Sequence, residues 1–159
     1  MEFLSTRGGR RASFEDVLLG GPAPDGGLYL PEHWPVFTPP QIREMASLPY
    51  ANVATRVLLP FAAGYLTDDE LHADAETAYA TFRHRAVAPL KQLAPDLFLL
   101  ELFHGPTLAF KDIALQLMAR LFARALARSS RRATVIAATS GDTGSAAIAA
   151  FCGQPGVNI

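Results

Sequence analysis

Two short segments carry residues suited to chemistry. The first is His104-Gly105-Pro106-Thr107-Leu108-Ala109-Phe110-Lys111-Asp112, where an apolar run gives way to a helical pattern. Lys111 stands at or just before the expected helix N-terminus. The positive end of the helix dipole there favours the uncharged amine over the ammonium, an effect of about 0.3–1 kcal/mol. The neighbours Ala109 and Phe110 would strip water from the charged form. Both effects suit a lysine used as an amine nucleophile, ready for a Schiff base. Lysine is also scarce here: of 14 basic residues only Lys91 and Lys111 are lysines, so arginine serves wherever charge alone is wanted. The segment is not a phosphate-binding P-loop, because Phe110 precedes the lysine where Gly is needed and Asp112 follows where Ser or Thr is needed. The bland alternative is a surface lysine at a helix start, which the dipole disfavours.

The second segment is Thr139-Ser140-Gly141-Asp142-Thr143-Gly144, between another apolar run and an Ala-rich helical stretch. Its backbone N–H groups and hydroxyls would gather at a helix N-terminus, a ready anion site. The Asp142 carboxylate suits either a cap on the loop or a partner for a donor on a bound cofactor. Without a G-x-G-x-x-G pattern, nothing supports a dinucleotide. A capped Gly-rich turn with no ligand is the plain alternative.

The elements that must position these segments follow from periodicity and punctuation. Residues 1–40 are broken by Gly and Pro, with Leu28-Tyr29-Leu30 a short strand candidate. A helix is expected from Pro40 to about Ser47, and a second, capped by Asn52, through Val57. The run Thr67-Asp68-Asp69-Glu70 announces a third, from Leu71 to about His84. After Pro89 the pattern changes. Leu97 to Leu102 reads as a buried strand. Apolar residues at three- and four-residue spacing predict a helix from about Lys111 to Leu126. Ala133 to Ala138 reads as another buried strand, an Ala-rich helix runs to Phe151 with Gly153 ending it, and Val157-Asn158-Ile159 starts a third strand. Strand–helix–strand–helix–strand is the grammar of a doubly wound parallel sheet, in which ligands bind at the carboxyl ends of the strands. The expected architecture is therefore α/β: a mostly helical N-terminal domain over 1–88, then the first part of a parallel-sheet domain over 89–159, with more chain needed to complete it.

Composition narrows the classes. The chain has 159 residues, half of them apolar, and a net charge of −1, which gives no reason to expect nucleic acid or an anionic membrane as partner. The basic cluster Arg120, Arg124, Arg128, Arg131 and Arg132 closes a predicted helix, where positive charge complements the dipole. Cys152, the sole cysteine, allows no intrachain disulfide, and its place near a helix end reads as core packing. A reducing, cytoplasmic setting is expected, with no secretory signal and no apolar span for a bilayer. His33, His72 and His84 lack partners at metal-ligand spacing, so no metal is expected. His104 reads as a structural loop histidine and Lys91 as an exposed linker residue.

Together these segments resemble threonine synthases, within the fold-type II pyridoxal-phosphate enzymes. The short pattern Thr107, Ala109-Phe110-Lys111-Asp112 is shared in type with serine and threonine dehydratases. The longer form from Glu101 to Asp112, and Thr139 to Gly144 with Asp where many relatives have Asn, are more similar to threonine synthases. Ser5-Thr6-Arg7-Gly8, Ser13-Phe14, Asp25-Gly26-Gly27-Leu28-Tyr29-Leu30-Pro31 and Leu59-Pro60-Phe61 resemble the opening of the bacterial and fungal type; Phe3 departs from its usual Tyr. The resemblance implies that Lys111 holds pyridoxal 5'-phosphate covalently, with Phe110 and Asp142 as further cofactor contacts. It implies that Ser140, Gly141, Thr143 and Gly144 hold the substrate, O-phosphohomoserine, which becomes threonine and phosphate. The family's glycine-rich loop for the cofactor phosphate, and the Ser or Thr meeting its pyridine nitrogen, are not found before Ile159, so these 159 residues alone are expected to be inactive. Two rivals stay open: a related lyase such as a threonine dehydratase, and a non-catalytic remnant that binds or interacts. Oligomerisation also stays open.

Overall fold

The computed structural model describes all 159 residues and divides them into two compact units, one of residues 1–48 and 52–73, the other of 49–51 and 74–159. No helix is long and apolar enough to cross a membrane.

In the first unit, strand β1 (Phe3–Ser5) pairs antiparallel with β2 (Tyr29–Pro31), Phe3 opposite Pro31 and Ser5 opposite Tyr29. Between them helix α1 (Phe14–Gly20) starts with a capping box: the Ser13 hydroxyl takes the Asp16 N–H, and the Asp16 carboxylate takes the Ser13 N–H. Helix α2 (Pro39–Met45) starts the same way with Thr38 and Gln41, its first two positions filled by prolines that forfeit no intrahelical bond there. Phe3, Ala12, Ala23, Ala62, Leu66 and Leu71 are buried, and Phe14 lies between Phe3 and Tyr65 at ring distances of 6.4 and 5.7 Å. The close pairing of the two strands has a local cause. Ser5 donates its hydroxyl to Asp25 at 2.7 Å, Thr6 exchanges bonds with Leu28, and a side chain at Gly27 would strike the Ser5 hydroxyl.

Helix α3 (Tyr50–Ala62) differs from the sequence expectation: it starts right after Pro49 and carries Asn52 in its interior rather than at its cap. Helix α4 (Asp68–Tyr79) follows the expected signal but starts at Asp68 rather than Leu71, with Thr67 and Glu70 forming a capping box and three acids in its first turn. It stops at Tyr79, short of His84, where the chain goes into turns that end with Val87 in the left-handed region at φ 58°. In the second unit Tyr79 stacks edge-on with Tyr50 at 4.8 Å and bonds the Ile113 carbonyl, while Ala75 and Ala78 are fully covered.

Strand β3 (Leu90–Ala94) and β4 (Leu97–Leu100) form an antiparallel hairpin with a bulge between Gln92 and Ala94. This corrects the reading of Leu97–Leu102 as one buried strand. The preceding run, Leu90 to Ala94, is itself apolar enough to be the local partner; Pro95-Asp96 supplies the turn, and every hairpin residue is exposed. Lys91 therefore lies on a strand rather than in a linker. Helix α5 (Asp112–Arg128) follows and buries Leu117, Ala119, Ala123, Ala125 and Leu126. Strand β5 (Ala133–Thr134), helix α6 (Asp142–Phe151) and strand β6 (Val157–Asn158) make a β-α-β unit with parallel pairing, Ala133 opposite Val157. The parallel sheet of the expected α/β fold is present as this unit, and β4 stands apart from it. Strand β5 is shorter than its apolar run, which leaves Ile136 exposed. Helices α5 and α6 pack through Ala119, Ala147, Ala150 and Phe151, with Leu115, Phe122, Val135 and Val157 around them; the Phe122 and Phe151 rings meet edge-on at 5.8 Å. The small alanines let the two helices approach closely. Cys152 lies at the helix end but is exposed, so it is not core packing as expected.

Candidate functional site

Lys111 occupies the N-cap position of α5, already in helical conformation at φ −62° and ψ −24°. Ser, Thr, Asp or Asn at that position would typically stabilise the helix by about 1 kcal/mol relative to a residue that cannot cap. Lysine forgoes this, and its side chain makes no cap hydrogen bond. It is half-buried, and the one contact of its ammonium is the face of Phe110, 4.4 Å from the ring centroid. Such a contact is worth about 0.5–1 kcal/mol at an exposed site. Phe110 itself is exposed. The amine thus has no carboxylate or carbonyl holding it.

The loop before Lys111 is held from the next residue. Asp112 is 0% exposed, and its carboxylate accepts from the Thr107 N–H at 2.9 Å and the Thr107 hydroxyl at 2.7 Å. Gly105 packs so closely on the Asp112 side chain that a Cβ there would collide with it. Leu108 sits in the left-handed region at φ 64°, a conformation that costs a non-glycine residue on the order of 1 kcal/mol and persists only where surroundings enforce it. Thr107 and Asp112 were read in the sequence as parts of a motif, not as a linked pair. Their five-residue spacing matches no capping rule, which is why the tie was not legible.

The loop between β5 and α6 is organised by Thr139. Its hydroxyl accepts the Gly144 N–H at 2.9 Å and the Gly141 N–H at 3.2 Å. Gly141, at the N-cap, has φ 133°, a region open to glycine alone without strain. Gly144 leaves no room for a side chain beside the Thr139 hydroxyl, 2.9 Å from where a Cβ would lie. Asp142 does not cap this loop; it begins the helix with its side chain exposed. Ser140 and Gly141 are exposed, Thr143 and Gly144 half-buried. Of the two roles open to Asp142 in the sequence, the loop cap is therefore taken by Thr139.

The remaining candidates have structural explanations. His104 Nε2 lies 2.7 Å from a Glu101 carboxylate oxygen, its ring stacks with His84 and Phe103, and its carbonyl receives the Arg83 N–H. The basic cluster is not one patch, since Arg124 bonds Asp74 at 2.7 Å. Two groups on α5, Gln116 Nε2 and Arg120 Nε, are buried without a hydrogen-bond partner. Tyr79 is held protonated far above the usual phenol range, first by burial and then by the neighbouring Tyr50.

An α/β fold with a lysine amine free of hydrogen bonds at the N-cap of α5, and a hydroxyl-lined helix N-terminus in the β5–α6–β6 unit, is the class the structure defines. Comparison with known proteins makes the class specific. Residues 2–79 match the family model described as the threonine synthase N terminus. The chain is 54% identical over 149 residues to the threonine synthase of Pseudomonas aeruginosa, covering 93% of this chain and 32% of that protein. Its structure superposes with a TM-score of 0.95 on a threonine synthase with pyridoxal phosphate bound from Brucella melitensis, at 51% identity, covering 99% of this chain and 34% of that one. A yeast threonine synthase superposes at 0.91 with 36% identity, over 98% of this chain and 34% of that one. The chain belongs to the threonine synthase family and spans about a third of the length of the relatives it matches.

Proposed function

We propose that the protein, at the length of its relatives, is a carbon–oxygen lyase acting on a phosphate ester, converting O-phosphohomoserine and water to threonine and phosphate with pyridoxal phosphate as cofactor. The observation that carries this is Lys111 at the N-cap of α5, its side chain making no cap hydrogen bond and meeting only the Phe110 ring. The donor set fits the cofactor. The amine can attach to its aldehyde, the exposed Phe110 ring offers an apolar neighbour, and the exposed Asp142 is free to meet its ring hydroxyl. When bound, pyridoxal phosphate supplies an electron sink for charge at the α and β carbons of the substrate. Lys111 then moves protons at those two carbons. The hydroxyls of Ser140 and Thr143, on the turn whose Gly141 and Gly144 N–H groups are tied to Thr139, orient the substrate carboxylate at the positive end of α6.

Residues 1–88 are read as the N-terminal domain and 89–159 as the start of the catalytic domain, supported by the appearance of strands β3 to β6 after Pro89, while the compact units themselves divide between 73 and 74. The 159 residues taken alone are read as inactive. The test supplies O-phosphohomoserine, threonine or serine in turn, with pyridoxal phosphate, to the protein at the relatives' length and follows phosphate, threonine and 2-oxoacid. Equal release of phosphate and threonine, lost in Lys111→Ala, supports the reading. Release of a 2-oxoacid from threonine or serine, with O-phosphohomoserine untouched, replaces it with a dehydratase.

A further inference from the structure

We infer that Asp112 is a positioning residue for Lys111, acting through Thr107; this rests on the lysine role proposed above. Asp112 is the largest polar side chain in the chain that is completely covered, and it sits one residue beyond the amine. A first-turn acid stabilises its helix through the dipole with no particular hydrogen bond, and a capping acid accepts from N–H groups of its own helix. Asp112 instead reaches back five residues and takes both donors of Thr107, the N–H and the hydroxyl, on its two carboxylate oxygens. Gly105 closes the other side, with no space for a Cβ. The loop from Gly105 to Phe110 is therefore tied at its base to the residue that follows the lysine. Within it the chain turns through bonds from the Leu108 N–H to Gly105 and the Asp112 N–H to Ala109.

This arrangement explains why lysine can stand at the N-cap. The loop–helix junction is held by its successor, so the Lys111 side chain is not needed for capping and its backbone is fixed in one conformation. Both Asp112 carboxylate oxygens are taken by Thr107, and neither bonds the amine. The effect of Asp112 is on where the amine points.

The test uses the protein at the length of its relatives and compares Lys111 with Lys91, the one other lysine within these 159 residues. Pyridoxal phosphate is added, trapped with borohydride, and the label is divided between Lys111 and the exposed Lys91 by peptide mapping. Wild type, Asp112→Asn, Thr107→Val and Thr107→Ser are compared, with helix content checked by circular dichroism and exchange of the Thr107 amide followed in parallel. Loss of one such bond should lower the Lys111 to Lys91 ratio about three- to tenfold in Asp112→Asn and Thr107→Val. Thr107→Ser should keep it, and the Thr107 amide should exchange faster in Asp112→Asn. Should Asp112→Asn fail to fold, the Thr107→Val and Thr107→Ser pair decides. A wild-type preference for Lys111 that survives unchanged in every folded variant overturns the positioning role and leaves the lysine assignment standing. No wild-type preference at all removes the lysine assignment, and the positioning role with it.

Discussion

Gly105→Ala separates steric from conformational effects at the lysine loop. Gly105 is not among the glycines with positive φ, so alanine can adopt its backbone conformation. On backbone grounds alone the change would stabilise by about 0.4–1 kcal/mol, by restricting the unfolded chain. The structure predicts the opposite sign. The new Cβ would lie 2.8 Å from Asp112 Cγ and closer still to its Cβ and Oδ2, and none of these atoms belongs to a side chain with room to swing away. Overpacking of this kind costs about 1–3 kcal/mol. Displacing the carboxylate weakens its two bonds to Thr107, which adds about 1–2 kcal/mol. A total of about 2–5 kcal/mol corresponds to a fall on the order of 10 °C in the melting temperature of a chain this size. The control is Gly64→Ala. Gly64 has φ 85° and open space around its Cβ, so its cost is conformational only, about 1–2 kcal/mol. Thermal melts followed by circular dichroism should rank wild type above Gly64→Ala above Gly105→Ala. In the Gly105→Ala background, Asp112→Ala should cost less than it does alone, because the clash with Cγ and Oδ2 goes with it while the clash with Cβ stays. A Gly105→Ala protein as stable as wild type, or more so, would refute the account of this loop.

Other predictions rest on separate features. Arg124→Ala should destabilise by about 1–3 kcal/mol in urea melts, because the side chain of its partner Asp74 is 13% exposed and would keep a charge without its donor. The Asp25 carboxyl is held below the usual carboxylate range, first by the Ser5 hydroxyl and then by the Gly27 N–H. A folded value below the unfolded one contributes stability that is fully present above about pH 4 and drains as pH falls through the folded value. Ser5→Ala should therefore lower stability at neutral pH, with the difference from wild type shrinking in strong acid, as measured by urea melts across pH. The exposed apolar hairpin, including Phe98 and Leu100, is an edge that invites pairing. Replacing both with lysine should reduce self-association in sedimentation velocity, and an unchanged distribution would clear the hairpin of that role.

Much of the fold could be read where a local rule had no competitor. Helix α5 followed from apolar spacing, α6 from its alanines and Gly153, and the start of α4 from Thr67 and Glu70. Helix α1 was hidden because its capping box uses Asp16 in place of the usual Glu or Gln, inside a stretch broken by glycines. The Leu97–Leu100 run was misjudged because an apolar run states what a segment can bury, not which neighbour it will meet; the adjoining Leu90–Ala94 run captured it in a hairpin. Both chemical motifs were visible as residue types. What was not visible was the division of labour inside them. Thr139 rather than Asp142 closes the second loop, and Asp112 rather than Lys111 holds the first. Those choices depend on atoms a few ångströms apart whose sequence spacing follows no general rule.

The central claim concerns Lys111, and the most direct measurement is covalent. The protein at the length of its relatives is incubated with pyridoxal phosphate, reduced with borohydride, digested, and the peptides of Lys91 and Lys111 are weighed. The account predicts a phosphopyridoxyl adduct on the peptide of Lys111, saturating with cofactor, while Lys91 is modified only slowly and without saturation. An adduct on Lys91 alone, or equal slow labelling of both lysines, would contradict it.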